Sequence, residues 1–151
     1  MFFATQRAFA SLALFASLVV AEPAAAKSKT EAWAAWMQRA QMIDDALSTT
    51  KDTGVSREEY DQRVSTACKG VTGTVIGQGM AFPGWGQKLI VLCRASTGGF
   101  FSGSMGKRCK ELKSAGNALS KAGPVAEAPE ATELAHHLGF VALSIHDKSC
   151  G

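Results

Sequence analysis

No C-x-x-C pair occurs in this 151-residue chain, and Cys68, Cys93, Cys109 and Cys150 are widely spaced. Structural zinc sites draw ligands from close cysteine or histidine pairs, so the spacing argues against one. C-x-x-C-H is missing, which argues against covalently attached haem. H-x-x-x-H is missing too, and with it a helical metal pair; so is G-x-S-x-G, the strand-to-helix elbow of many serine hydrolases. Gly-x-Gly occurs at 77–79 and 84–86, but neither instance completes a nucleotide-binding fingerprint. No internal repeat or heptad is visible. These absences leave no catalytic residue and no metal or cofactor to assign, and they weigh against an enzyme.

What is present begins with the first residues. Residues 1–7 carry one positive charge and no acid, and residues 8–21 read AFASLALFASLVVA. Glu22, Pro23 and three alanines follow. A basic start, a short apolar segment and a small-x-small site form the pattern of a secretory signal peptide. A spanning helix needs about 20 apolar residues, and this run is interrupted well before that. Residues 1–26 are therefore expected to be removed after Ala26, leaving residues 27–151 as one domain in a periplasm or outside the cell. No cysteine follows the cut closely, so a lipid anchor is not indicated.

An even number of cysteines in an exported chain points to two disulfides. Three pairings of Cys68, Cys93, Cys109 and Cys150 are open. Each bridge is expected to contribute about 2–4 kcal/mol, mainly by restricting the unfolded chain.

Charge is unevenly spread. Residues 27–69 hold seven bases and seven acids. Residues 70–121 hold seven bases against Glu111 alone, and residues 122–151 hold Lys148 against four acids. The basic middle either complements the acidic tail or faces an acidic partner, such as a protein, anionic lipid or wall polymer. Export removes the chain from most nucleic acid, which is not expected as a partner.

The fold is expected to be mainly α, with about four helices around a glycine-rich middle. Ser28-x-x-Glu31 and Ser56-x-x-Glu59 have the form of capping boxes. The first opens a helix with Trp33, Trp36, Met37, Ala40, Ile43 and Leu47 on one stripe, the spacing of a core face. The second opens a helix aligning Tyr60, Val64, Ala67 or Cys68, and Val71. Residues 48–55 read as a loop. A third helix, over 105–122, has Met105, Cys109, Leu112, Gly116 and Leu119 inward. Lys107, Lys110 and Lys121 cluster on its polar side, with Lys113 beside them, and Gly123-Pro124 stops it. In the last helix Leu134, Leu138, Val141 and Ile145 share a stripe, with Phe140 and Leu143 nearly opposite. That predicts a helix apolar on two faces, central or shared with a partner.

Residues 70–106 hold ten of the fifteen glycines. Two structures compete there: a β-hairpin from 71–76 and 88–94, or short helices packed through glycine. The helical flanks favour the second. Phe100 and Phe101 lie in a glycine-rich stretch that suits recognition, as does Trp85 in its Pro-Gly-Trp-Gly turn.

Histidines 136, 137 and 146 diverge around the last helix, with Glu133 and His137 spaced as a surface pair. The acids at 44–45 and 58–59 read as solvated. The expectation is thus an exported, non-enzymatic binding or accessory protein that contacts an envelope or extracellular protein. The surface for it would comprise Trp85, Phe100, Phe101, Lys107, Lys110, Lys113 and Lys121. An inhibitor or immunity protein against an envelope-targeting enzyme, or a protein binding anionic lipid, are the alternatives.

Overall fold

The protein is described by a computed structural model that covers residues 28–49, 54–97 and 105–150. The proposed signal peptide, Phe100 and Phe101 lie outside these. Six helices and no strands make up the described residues: α1 (Lys29–Ser48), α2 (Arg57–Cys68), α3 (Val71–Ile76), α4 (Gly84–Ser96), α5 (Met105–Ser120) and α6 (Pro129–Cys150).

The two serine caps form as the sequence indicates. Ser28 Oγ accepts from the Glu31 amide and Ser56 Oγ from the Glu59 amide, each at 3.2 Å. Each bond satisfies a backbone N–H that a helix start would otherwise leave without a partner. α1 then buries Trp33, Trp36, Ala40, Ile43 and Leu47 of the stripe read from its spacing, with Ala32 beside them and Met37 only partly buried. At the far end of α2, Arg39 of α1 donates to the Ala67 carbonyl at 3.0 Å. A cation thus meets the negative end of a helix dipole and holds α2 on α1.

Over residues 71–76 and 84–96 the glycine-rich middle forms helices and not a hairpin. A half-buried strand would hide alternate residues, whereas α4 buries Gly86, Leu89, Leu92, Cys93 and Ser96, the spacing of one helical face. Val71 and Val75, four apart, do the same on α3. Gly70, at φ +82°, makes the turn from α2 into α3, a backbone shape that a side chain would strain. The Pro-Gly-Trp-Gly stretch read as a turn is instead the N-cap and first turn of α4, because Gly84, Trp85 and Gly86 are already helical, and it packs under α1. Trp33 stacks on Trp85 with ring centroids 5.4 Å apart and meets Phe82 edge-on at 4.8 Å. Trp36 Nε1 donates to the Gly86 carbonyl at 3.0 Å, so the buried indole keeps its hydrogen bond.

α5 and α6 form an antiparallel hairpin through residues 121–128. Thr132 Oγ1 donates to the Gly123 carbonyl and His136 Nε2 to the Ala122 carbonyl, both at 2.8 Å, which fastens the turn. α5 ends at Ser120, a little before the Gly123-Pro124 stop. The two helices cross at glycines. A Cβ on Gly139 would meet the Ser120 amide nitrogen and sit 2.8 Å from the Gly116 carbonyl oxygen. A Cβ on Gly116 would come within 2.8 Å of Leu143. Leu143 therefore points into α5, which corrects the expectation of a second apolar face on the last helix. Of the two residues placed there, Phe140 is solvent-exposed. The buried face of α6 is instead a run of small residues, Ala131, Ala135, Gly139 and Ala142, around Leu138.

Of the three possible pairings, the cysteines adopt Cys68–Cys93 and Cys109–Cys150. The first staples α2 to α4. The second joins the start of α5 to the end of α6, closing the hairpin opposite its turn. Two such bridges belong to an oxidising compartment, periplasmic or extracellular. No described helix is long and apolar enough to cross a membrane.

Candidate functional site

The outward face of α5 collects the lysines that the sequence groups together. Leu112, Ala115, Gly116 and Leu119 turn inward, and helical periodicity sends Lys107, Lys110 and Lys113 to the opposite side; Lys121 follows directly after the helix, and all four are exposed. None of these four has an ion partner among the described residues. The helix's one acid does not neutralise them. Glu111 is turned towards α4, where its carboxylate meets the Arg94 guanidinium at 3.2 Å. Lys88 of α4 reaches over to the same face and donates to Ser114 Oγ at 3.1 Å. A fifth ammonium group thus joins the row from a neighbouring helix, between Lys110 and Lys121 along the axis. No spacing rule reveals this contact, because its partners are 26 residues apart.

The other residues expected to bind a partner do not join this face. Trp85 is half-buried in the aromatic cluster under α1. Phe100 and Phe101 lie outside the described residues. No cysteine is free, so all four serve the fold.

The acids at 44–45 depart from the solvated reading. Asp45 is exposed and accepts from Gln41, but Asp44 is buried between α1 and α6, 7% exposed. It lies next to Ile43 on the inward side of α1. His137 Nε2 approaches Asp44 Oδ1 to 3.2 Å, and Ser48 Oγ donates to the same oxygen at 3.3 Å. Burial pushes the Asp44 carboxyl above its ordinary range. The charge of His137 and the Ser48 hydrogen bond oppose that shift without cancelling it. His137 thus pairs across helices with Asp44, in place of the expected surface pair with Glu133. Its neighbour His136 is bound to the α5–α6 turn, and His146 has Asp147 at 3.5 Å. The three histidines serve three separate contacts and converge on nothing. Tyr60 is pushed up to about 12, by burial first and by Asp61 second, and stays a neutral phenol.

Open grooves mark the described surface, three of them as follows. One of about 480 Å³ runs between α1 and α2 past Met42, Asp45, Glu59 and Arg63. A second, about 570 Å³, passes the Cys68–Cys93 bridge between Lys69 and Arg94. The third, about 340 Å³, lies over Trp33, where Lys29 faces Glu127 at 4.0 Å. None of the three contains a lysine of the α5 row. Among the described residues, no three histidine, cysteine, aspartate or glutamate side chains are grouped to hold a metal ion. No known protein family, curated protein or solved structure matches the chain.

Proposed function

We propose that this is an exported, disulfide-stapled helical binding module that acts by contacting another protein in the cell envelope or outside the cell. The observation that carries the reading is the uncompensated ammonium row on α5. Like charges at three-residue spacing on one helix face, as from Lys107 to Lys110 and from Lys110 to Lys113, disfavour that helix by a few tenths of a kcal/mol per pair. A row of this kind becomes favourable when an acidic surface covers it. Its supports are rigid: a glycine-to-glycine crossing on one side and the Cys109–Cys150 bridge at one end. A rigid support lowers the ordering cost of binding. The signal-peptide pattern of residues 1–26 and the two disulfides support an oxidising compartment for that encounter.

Crosslinking capture tests this reading. The oxidised protein, carrying a photoreactive group, is presented to native envelope and culture fluid of its own cells. One dominant protein adduct, displaced by excess unlabelled protein, is the expected result. Adducts with lipid or wall polymer only, or no adduct, would overturn the assignment.

A further inference from the structure

We infer that the outer face of α5 docks an acidic amphipathic helix of the partner protein. This rests on the binding-module reading above and names the chemistry of its partner.

The face is a line. Exposed polar positions recur along it at Lys107, Lys110, Ser114, Asn117 and Lys121, intervals of three and four residues. With a rise of about 1.5 Å per residue, the part of the row on α5, from Lys107 to Asn117, is about 15 Å long, and Lys121 extends it just past the end of the helix. Lys113 lies beside it, and Lys88 enters at Ser114. A second helix laid along α5 repeats its own side chains at the same intervals. Carboxylates recurring every three and four residues on one face would therefore stand opposite the ammonium groups along the whole row. Asn117, exposed between Lys113 and Lys121, carries both a donor and an acceptor for a polar group in the same line.

An anionic bilayer fits less well. It offers a plane of one sign, whereas the surface beside the row changes sign. α6 begins next to the end of α5, and Glu130 and Glu133 are exposed there, at the same end of the hairpin as Lys121. A flat anionic surface broad enough to span that end of the hairpin would meet these carboxylates as well as Lys121. A single helix seated on α5 need not.

Two alanine-based peptides of identical composition separate these cases. One has glutamates recurring at intervals of three and four; in the other they are spread around the helix. Binding to the oxidised protein is followed at low ionic strength by backbone amide shifts. The patterned peptide is expected to bind roughly tenfold more tightly than the spread one, since single exposed pairs are each weak and only their alignment adds up. The shifts should centre on α5 and fade with added salt. The combined substitution Lys107→Gln, Lys110→Gln, Lys113→Gln and Lys121→Gln should abolish the preference while leaving circular dichroism and melting temperature in place. Equal binding of the two peptides, a preference that survives the four substitutions, or stronger attachment to phosphatidylglycerol vesicles than to the patterned peptide would each overturn the inference. Capture of the same native protein by the four-lysine variant would also overturn it, while leaving the binding-module assignment standing.

Discussion

Gly139→Ala adds one methyl group in the middle of a helix, where alanine is ordinarily better than glycine by about 0.8–1 kcal/mol. Here the expected sign is reversed. The new Cβ would lie 2.8 Å from the Gly116 carbonyl oxygen and 2.8 Å from Ser120 Cα, with the Ser120 amide nitrogen closer still. All three are backbone atoms, which cannot swing aside as the tip of a lysine can. Ordinary contact begins at 3.4 Å, so α5 and α6 must part by more than half an ångström. Leu143 is seated against Gly116 and would lose contact as they part, while Cys109–Cys150 resists the separation from the far end. Overpacking of a filled interior costs typically about 1–3 kcal/mol, which outweighs the helix-propensity gain. For a domain of this size the melting temperature should fall by roughly 3–10 °C. The control is Gly73→Ala in α3, where an added Cβ meets nothing within 4 Å. That variant should gain about 0.4–1 kcal/mol. Paired thermal melts of the oxidised proteins decide the matter. A Gly139→Ala protein as stable as the parent, or more stable, would refute the account of the α5–α6 crossing.

The bridges join residues 25 and 41 apart in sequence; the loop-entropy estimate gives about 3.5–4 kcal/mol for each. Replacing Cys109 and Cys150 together by serine should therefore lower the melting temperature by more than 10 °C or so, and peptide mapping of the parent should recover 68 with 93 and 109 with 150; any other pairing contradicts the fold. Asp44→Asn tests the buried carboxyl. Because burial raises its pKa in the folded state above the ordinary 3.8, the native protein holds that proton more tightly than the unfolded chain does. Stability is then lost as pH rises from the ordinary value through the raised one. The asparagine variant should melt like the parent at strongly acidic pH and increasingly above it as pH rises to neutral. A difference of the opposite sign at neutral pH would show that the His137 contact outweighs the burial.

Helix-forming stripes were legible because each is a local pattern. Trp33, Trp36, Ala40, Ile43 and Leu47 carry their spacing with them, and the serine caps lie three residues from the amides they satisfy. The glycine-rich middle was harder, since over a run as short as 89–93 a buried strand and a buried helix look alike. Gly116 was legible as an inward position, but its part in the crossing, and Gly139 altogether, were illegible for a different reason. A glycine inside a helix reads as a weakness until the opposing backbone is known, and only the crossing shows why a side chain is excluded at both. Leu143 was misplaced on the same ground: the notch that receives it is made by a missing Cβ on another helix. Asp44 and Asp45 both read as solvated, yet the two diverge by about 100° around α1 and only Asp44 faces α6. The lysine cluster of α5 was visible in sequence as a local pattern. Lys88 and the diversion of Glu111 to Arg94 were not, because both depend on how α4 lies against α5.

That division bears on why the α5 face can carry so much charge of one sign. Each like-charged pair on it works against the helix, but only by a few tenths of a kcal/mol, and solvent screens part of that. The opposing terms are on the other side of the same helix, where Leu112, Ala115 and Leu119 are fully buried and Gly116 lies against α6. Fully burying one leucine side chain contributes about 1.5–3 kcal/mol, so a single core position outweighs the whole repulsive row. The bridge from Cys109 to Cys150 adds to that margin at the lysine-bearing start of the helix. Folding thus places no demand on the sign of the outer face, and neutralising Lys107, Lys110, Lys113 and Lys121 should leave the fold as stable or slightly more so. What those lysines cost the folded chain, an acidic partner would return on contact, and a loss of binding in their glutamine variant would therefore report on charge at the surface and not on the helix beneath it.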